Sequence, residues 1–494
     1  MQVEVKDINE VGLLESNSFI MHFSLRRLFV WAFLLSLFSL AVRQCSSIDW
    51  DFWWHLKTGQ YILQIKSIPN TDPFSFTRAG AEWITHEWLS EVIMYEVFRV
   101  GGWIGLFILF GTTITAALGI CYRRCEGKPY IAALSVVLAT AASASLFGFR
   151  PQMFTLLLAS VFIWLLDGYI YHAVRHLVWL LPPLMLLWVN LHAGFALGLA
   201  LVLLFVVMAA LDQKGKRIWT LVTIFAICLV MVPLNPNGFR MFSYPFETLS
   251  APAMQNFIQE WFSPDFHQLR FLPLAILMLA TFSVMALSPV RPRRGEVFAL
   301  AVLSLAALRS GRHIPIFAIF AAPLLAKYLA HWVSSQTNSL ITLRSTTATG
   351  PKLILTLSLL ILPSFIIIQR IGNFSANVRS YEAQKFPLAA VEFIEKTDTG
   401  PIFNDYNWGG YLIWKLHPGK KVFIDGRADV YGDAFIFDYL NTYGGERGWR
   451  ENLDRLGIKT VLILPNSALS TQLRGDQGWR TVFEDQQAVV FARN

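Results

Sequence analysis

Residues 28–44 read LFVWAFLLSLFSLAVRQ, an apolar stretch with a single charged residue near its end. In a helix, about 20 such residues cross the hydrocarbon core of a bilayer. The composition of the 494-residue chain agrees, because 54% of its residues are hydrophobic and only 15% are charged. Soluble proteins carry about 25% charged residues. The sequence therefore predicts an integral membrane protein.

Composition also excludes two other classes of protein. Four cysteines in 494 residues are too few for the framework of a secreted disulfide-rich protein. The chain holds 39 Phe, 17 Trp and 14 Tyr residues, whereas intrinsically disordered chains are poor in aromatic residues. The chain is therefore expected to fold within a membrane.

Further apolar segments follow the first, and together they predict an α-helical polytopic membrane protein with about 11 transmembrane helices. The fifth and ninth segments are shorter than the others. The predicted segments are centred on residues 28–44, 101–121, 129–147, 153–171, 177–190, 193–211, 218–234, 271–288, 297–309, 314–333 and 353–370.

The positive net charge of +8 is confined to the apolar part of the chain. Residues 371–494 hold 14 basic and 15 acidic residues, so residues 1–370 carry a net charge of +9. Basic residues between apolar segments mark cytoplasmic loops. The charge is thus a topology pattern, and no nucleic-acid partner is predicted.

The same basic residues predict the orientation of the chain. Arg26 and Arg27 precede the first span, so the N-terminus is expected in the cytoplasm. An odd number of spans then places the C-terminal part outside it. The predicted cytoplasmic loops hold Arg123, Arg124, Lys128, Arg175, Lys214, Lys216, Arg217, Arg291, Arg293, Arg294, Arg344 and Lys352.

Three regions follow from this topology. Residues 1–27 form a cytoplasmic tail, and residues 28–370 form a transmembrane domain with a large first outer loop over residues 45–100. Residues 371–494 form an extracytoplasmic α/β domain, because short apolar strands alternate there with helical stretches. The candidate strands are 401–404, 421–425, 459–464, 480–484 and 488–492, and the candidate helices are 387–396, 410–417, 433–441, 449–456 and 467–473.

Two aspartates follow the first span directly, in the motif Asp49-x-Asp51. Asp51 and His55 are four residues apart, which places them on one face of a helix, and the tryptophans around them suit a helix at the lipid headgroups. An acid at this position can act as a general base near the bilayer surface. The alternative is an interfacial aromatic belt whose helix an aspartate caps. The sequence leaves open whether Asp49 or Asp51 is the functional acid.

Further polar residues recur at the predicted outer ends of later helices. Arginine and histidine are natural ligands for a phosphate, and ionisable groups at membrane depth are usually functional. Each taken alone can also be a snorkelling anchor or part of a turn. The residues in question are Arg150, Asn190, His192, Arg309, Arg312 and His313.

Histidines and acids of the outer segments could also bind a divalent cation. The candidate ligands are His55, His86, Glu87 and His192, but no pair has a tight metal-binding spacing. A metal therefore stays an open possibility, and His86-Glu87 can equally cap a helix.

In the C-terminal domain, Asp425-Gly426-Arg427 follows a predicted strand, where function and ordinary turn chemistry are equally plausible.

The order of these motifs resembles the GT-C superfamily of polyprenyl-phosphate-dependent glycosyltransferases, which includes protein O-mannosyltransferases, aminoarabinose transferases and oligosaccharyltransferase catalytic subunits. The resemblance covers most of the chain. One departure is that Trp408-Gly409-Gly410-Tyr411 lacks the central Trp-Asp pair of oligosaccharyltransferases, so recognition of a glycosylation sequon does not carry over. The residues that carry the resemblance are Asp49, Asp51, Trp53, Trp54, His55, Leu56, the run Asp72 to Thr77, and the run His86 to Leu89.

The resemblance implies an inverting transfer of a sugar from a polyprenyl-phosphate donor to an acceptor hydroxyl at the outer face of a bacterial inner membrane. Asp51 or Asp49 would be the base. The acceptor could be a glycan, a lipid or a protein. The donor phosphate would be held by Arg150, Arg309, Arg312 and His313, and the acceptor or the base would be oriented by His55, Asp72, His86, Glu87, Asn190, His192, Asp425 and Arg427.

Two other functions are compatible with the sequence. A transporter or flippase of lipid-linked sugars is one, although such proteins often carry internal repeats and charges near the midplane, and no repeat is evident here. A non-catalytic subunit that binds polyprenyl lipids in an envelope assembly is the other.

Overall fold

A computed structural model describes residues 27–45, 48–172, 176–337, 349–397 and 400–494. Apart from residue 27, the predicted cytoplasmic tail lies outside the described residues, as do Arg26, Arg175 and Arg344. Within the described residues, eight helices are long and apolar enough to cross a membrane. They span Arg27–Cys45, Trp88–Arg124, Pro129–Leu146, Gln152–Tyr171, Lys216–Leu234, Leu269–Leu287, Gly311–Gln336 and Ile354–Phe374.

All eleven predicted apolar segments lie on helices, which confirms the polytopic helical fold, although eleven spans are not confirmed. Three of these helices, α6, α7 and α12 below, are shorter than the eight spans. The helices are α1 (Arg27–Cys45), α2 (Phe52–Ile65), α3 (Trp88–Arg124), α4 (Pro129–Ser143), α5 (Gln152–Tyr171), α6 (Leu181–Leu191), α7 (Phe195–Leu211), α8 (Lys216–Met231), α9 (Arg240–Ser250), α10 (Pro252–Phe257), α11 (Leu272–Leu287), α12 (Arg294–Arg309), α13 (Ile314–Thr337) and α14 (Thr349–Lys385).

Helix α13 lies at the centre of the bundle and packs against α4, α11 and α12. Every side chain from Ile316 to Ala322 on it is buried. A helix that is apolar on all sides suits burial, either among other helices or in lipid. In α13 the burial is among other helices, which places residues 316–322 in the interior of the bundle.

The first outer loop contains the predicted short helix, α2, but its tryptophans are not a lipid-facing belt. Trp53 is only 1% exposed and packs edge-on against Tyr411, with ring centroids 5.5 Å apart. Helix α2 also lies close to α3, because a Cβ atom on Gly59 would overlap the backbone oxygen of Glu91. The loop is covered by the C-terminal domain, and that contact buries the aromatic rings.

The C-terminal domain has the predicted α/β composition around a four-stranded sheet with the strand order β1-β2-β4-β3. Strand β1 pairs with β2 in parallel, and the other pairs are antiparallel. The elements are α15 (Leu388–Glu395), β1 (Ile402–Asn404), α16 (Gly409–Leu416), α17 (Ala428–Tyr431), α18 (Asp433–Tyr443), α19 (Trp449–Arg455), β2 (Thr460–Ile463), α20 (Ala468–Arg474), β3 (Trp479–Glu484) and β4 (Val489–Arg493).

The predicted strand 421–425 is wrong, because this segment pairs with the first outer loop instead of the sheet. The amide of Val422 donates to the backbone oxygen of Phe74 at 3.1 Å, and the amide of Phe76 donates to the oxygen of Val422 at 3.1 Å. The hydroxyl of Thr77 donates to the oxygen of Phe423 at 2.5 Å. These bonds dock the C-terminal domain on the outer loop.

Candidate functional site

A cavity of about 460 Å³ lies between the membrane helices, the first outer loop and the segment 426–429 of the C-terminal domain. Its deeper walls are apolar side chains of α5, α7 and α13, such as Leu156, Leu197 and Ile316. Its upper walls carry ionisable residues from seven separate parts of the chain. Those residues are Asp51, His55, His86, Glu87, Arg150, His192, Glu260, Arg312, His313, Arg427 and Asp429.

Asp51 stands immediately before α2, with a third of its side chain exposed (33%). Its Oδ1 accepts the indole N–H of Trp54 at 3.1 Å, and its Oδ2 lies 3.9 Å from Nη2 of Arg150. Asp49 points elsewhere: its Oδ1 accepts the amide of Asp51 at 3.0 Å and lies 3.5 Å from Nε of Arg150. Asp51 is thus the aspartate that faces the cavity.

Burial raises the pKa of Asp51 to about 7, and the nearby charge of Asp49 adds to the rise. The guanidinium of Arg150 opposes both effects. A carboxyl group with a pKa close to neutrality can accept a proton during a reaction at neutral pH, which is what a general base must do. The surroundings of Asp51 therefore suit proton transfer.

Two arginines enter the cavity on either side of one acid. Glu260 forms an ion pair with Nη1 of Arg150, and its Oε2 accepts Nε of Arg312 at 3.1 Å. The guanidinium of Arg312 also lies over the ring of Trp261, 4.5 Å from its centroid. Because the carboxylate of Glu260 holds both guanidinium groups, they are fixed in position before any anion arrives. His313 lines the same wall.

A second polar group surrounds Glu87 at the N-terminal end of α3. Oε1 of Glu87 lies 3.1 Å from Nε2 of His86 and 3.2 Å from Nε2 of His192, and its Oε2 lies 3.3 Å from Nδ1 of His55. Burial raises the pKa of Glu87, but the three histidines outweigh burial and hold that pKa well below its usual range. Glu87 is therefore ionised.

The hydrogen bonds assign the protons on the histidines around Glu87. Nδ1 of His192 accepts the amide of Gly194 at 2.8 Å, so its proton is on Nε2 and points to Glu87. Both ring nitrogens of His86 face acceptors, the oxygen of Ile84 at 3.1 Å and Glu87, so His86 is cationic. Burial lowers the pKa of His192 and of His55 to about 4, which keeps both neutral.

The same group contains donor atoms that suit a divalent cation. His55, Glu87 and Glu91 each offer one ligand atom, and these atoms lie within 4.8 Å of one another. Nitrogen and carboxylate oxygen donors in this number are typical of zinc sites. The atoms also satisfy one another by hydrogen bonds and ion pairs, since Nδ1 of His55 lies 3.2 Å from Oε1 of Glu91. The set fits a metal but does not require one.

Five predicted site residues lie away from the walls of this cavity, among the residues that the structure describes. Asn190 accepts the indole N–H of Trp88 at 2.9 Å, and Arg309 has an exposed side chain. Asp72 and Asp425 are buried partners of Arg427, which itself reaches the cavity. Asp49 lies behind Asp51. Of the predicted phosphate-binding residues, Arg309 therefore lies outside the cavity walls, and the roles predicted for these five residues stay predictions.

Three cavity residues were given no role from the sequence. Glu260 lies next to Trp261, and Asp429 lies two residues after Arg427. Tyr244 lies on α9, a helix that was not predicted from the sequence. Its ring packs against that of His86, with centroids 4.5 Å apart, and no spacing in the sequence indicates this contact.

The arrangement of the helices and of the C-terminal sheet is similar to that of known protein structures. Two solved structures share it over most of their length. One is ArnT from Cupriavidus metallidurans bound to undecaprenyl phosphate, with a TM-score of 0.54, 12% identity, and coverage of 94% of this chain and 97% of ArnT.

The other is the archaeal oligosaccharyltransferase AglB from Archaeoglobus fulgidus in complex with an inhibitory peptide and a dolichol-phosphate. Its TM-score is 0.55 at 11% identity, and the match covers 96% of this chain and 74% of AglB. No family model matches the sequence, and no curated protein matches it either. At these identities the likeness is one of fold.

Proposed function

We propose that this protein is a membrane glycosyltransferase that moves a sugar from a polyprenyl-phosphate donor to a hydroxyl group of an acceptor. The observation that carries the proposal is that Asp51, Arg150 and His313, which are far apart in sequence, line one cavity. The solved structures of ArnT and AglB, which share the fold, each hold a polyprenyl phosphate. Both facts support a lipid-linked donor.

The donor's phosphate binds beside Arg150 and Arg312. Their guanidinium groups are already oriented by Glu260, so little ordering is needed when an anion binds. His313 offers a further donor on the same wall. The isoprenoid chain lies against the apolar side chains of α5 and α7, such as Leu156 and Leu197, because hydrocarbon is most stable away from water.

Asp51 acts as the general base. Its carboxylate takes the proton from the acceptor hydroxyl as that oxygen attacks the anomeric carbon of the sugar. The bond between this carbon and the phosphate oxygen breaks, and its electron pair leaves on the phosphate. Arg150 and Arg312 stabilise the charge that develops there. A single displacement inverts the anomeric carbon.

The remaining polar residues position these groups. Asp49 holds the amide of Asp51 and faces Arg150, and Glu87 organises the three histidines on the acceptor side. The protein lies in the cytoplasmic membrane of a bacterium, with its N-terminus in the cytoplasm and residues 371–494 outside. A divalent cation held by His55, Glu87 and Glu91 would fix Glu87 more firmly.

The test is a comparison of envelope glycans and lipid-linked sugars in cells with the gene, without it, and with Asp51→Asn. Loss of one glycan linkage together with accumulation of an unused lipid-linked sugar on the outer leaflet is expected for both altered strains. Lipid-linked sugar stranded on the inner leaflet would instead indicate a flippase. Normal glycans in the Asp51→Asn strain would refute Asp51 as the base, and normal glycans in a strain that carries Asp49→Asn and Asp51→Asn together, with loss only in the deletion, would indicate a non-catalytic subunit.

A further inference from the structure

A second cavity, of about 310 Å³, adjoins the first above α9. The two cavities share the wall residues Tyr244, Thr248, Met254, Ala428 and Asp429. The second cavity is built from α9, the first outer loop and the start of α18, and its walls are mostly polar. A molecule that reaches the first cavity from this direction passes Asp429.

Acids dominate the walls of the second cavity. Glu82, Glu247, Asp429 and Asp433 contribute four carboxyl groups, and Arg240 contributes the single guanidinium. Arg240 is paired with Glu82. Within the described part of the chain, no basic side chain lies within ion-pair distance of Glu247 on the exposed face of α9. The side chains that line this cavity therefore carry a net negative charge.

Asp429 lies between the acidic second cavity and the cavity that contains the proposed base, Asp51. Its exposed carboxyl group accepts one side-chain hydrogen bond, from the hydroxyl of Tyr244 at 3.3 Å. Three residues earlier, Gly426 packs so closely on Asp51 that a Cβ atom there would overlap Oδ1 of the aspartate. One short segment, residues 426–429, thus runs along the wall from Asp51 to the second cavity. The surrounding protein raises the pKa of Asp429, and the nearby charges of His86 and Arg427 oppose that rise.

We propose that the second cavity receives the acceptor, and that this acceptor carries a positively charged amine near its reacting hydroxyl, as an amino sugar does. Asp429 and Glu247 bind the amine while the hydroxyl reaches Asp51. The inference rests on the proposed function, since it names the acceptor for that same site. Phosphorylated or carboxylated acceptors are excluded by repulsion from the four carboxyl groups.

The charges in the first cavity agree with a donor that binds on one side and an acceptor that arrives from the second cavity. Its guanidinium groups, Arg150 and Arg312, lie with Glu260 on the side where the donor phosphate binds. The acid Asp429 lies at the boundary with the second cavity and lines both. Donor and acceptor are therefore separated by charge, with Asp51 between them, and the anionic donor is kept out of the acceptor position.

The test uses the full chain in lipid nanodiscs and two probes, an oligosaccharide of glucosamine at slightly acidic pH and its fully N-acetylated counterpart. We expect the amine-bearing probe to bind about tenfold more tightly, a difference of about 1.4 kcal/mol. Asp429→Asn and Glu247→Gln should each remove most of this preference. Glu451→Gln, which removes an exposed acid of α19 that lines neither cavity, is the matched control and should leave the preference unchanged.

Binding of undecaprenyl phosphate is measured on the same samples, and it shows that each variant is folded. If the lipid binds and the two oligosaccharides bind equally, or the acetylated one binds better, the acceptor inference is overturned while the proposed function stands. If the wild-type protein binds no undecaprenyl phosphate, the proposed function is wrong, and this inference, which rests on it, is wrong as well. Equal loss of preference in Glu451→Gln would also overturn the inference, because the effect would then not be local.

Discussion

Arg427 of the C-terminal domain and Asp72 of the first outer loop form a buried ion pair, with Nη1 of the arginine 2.8 Å from Oδ1 of the aspartate. Their side chains are 1% and 0% exposed. Nε and Nη2 of Arg427 also donate to Asp425 at 2.8 and 2.7 Å, and the guanidinium lies 4.6 Å from the centroid of the Trp83 ring. One side chain thereby joins the two parts of the chain that enclose the cavity from above.

Arg427→Met should therefore destabilise the protein strongly. The substitution leaves the carboxyl groups of Asp72 and Asp425 buried without a cation, and breaking a buried pair in this way typically lowers stability by about 3–5 kcal/mol. The measurement is thermal unfolding of the purified protein in detergent.

Arg474→Met is the control, because it removes an exposed arginine. It breaks a pair with Glu484 whose side chains are 40% and 39% exposed, and it should change stability by less than about 1 kcal/mol. Similar melting temperatures for the two variants would contradict the structural role of Arg427.

Asp51→Asn should abolish most transfer without unfolding the protein. The amide keeps the size and the hydrogen bond to Trp54 but cannot take a proton, and loss of a general base typically lowers the rate by about 100- to 10,000-fold. Asp49→Asn should cost only about tenfold, because its retained oxygen still accepts the amide of Asp51. Rates are compared at equal amounts of folded protein with a labelled polyprenyl-phosphate sugar. Full transfer by Asp51→Asn would refute the assignment and make Asp49 the base.

The rate should also depend on pH through Asp51. A base works in its ionised form, so with a pKa of about 7 the value of kcat/KM should be constant above neutrality and fall as the pH drops below it. Asp49→Asn removes a like charge that raises the pKa of Asp51, so the acidic fall should move to lower pH in that variant. A profile of kcat/KM against pH for both proteins measures this. An unchanged acidic limb in Asp49→Asn would show that another group controls the rate.

The fold was predictable wherever the pattern is local. The apolar run of residues 28–44 and the ten that follow it needed only length and composition. Five of the six helices and all four strands of the C-terminal domain needed only local periodicity, and α17 was not predicted. The predicted strand 421–425 is wrong because Val422 pairs with Phe74, which is distant in the sequence, and local patterns do not indicate such a partner. Local patterns also do not determine the number of membrane spans. Short helices such as α6 and α7 are apolar, but their length alone does not decide whether they cross the membrane.

The candidate site was predictable by residue type but not by arrangement. Arginines and acids at predicted outer helix ends identified Asp51, Arg150 and Arg312, because charged residues are rare in such a chain. Their grouping around Glu260 depends on a loop whose position the sequence does not determine. Arg309 illustrates the limit: it lies three residues before Arg312, yet the chain turns between them and leaves its side chain exposed.

Gly426→Ala should lower activity while leaving the protein folded. A Cβ atom at this position would overlap Oδ1 of Asp51, so the carboxyl group must rotate or the segment 426–429 must shift, and small displacements of a catalytic group typically lower rates by about 100-fold. Because the backbone here does not need a positive φ, stability should fall only slightly. The matched control is Gly475→Ala, whose Cβ atom would meet nothing closer than 3.6 Å. Transfer rate and melting temperature are measured for both. Equal activity of the two variants would mean that Asp51 is not held against Gly426 during the reaction, whereas loss of activity with an unchanged melting temperature in Gly426→Ala alone would place the reacting groups at this contact.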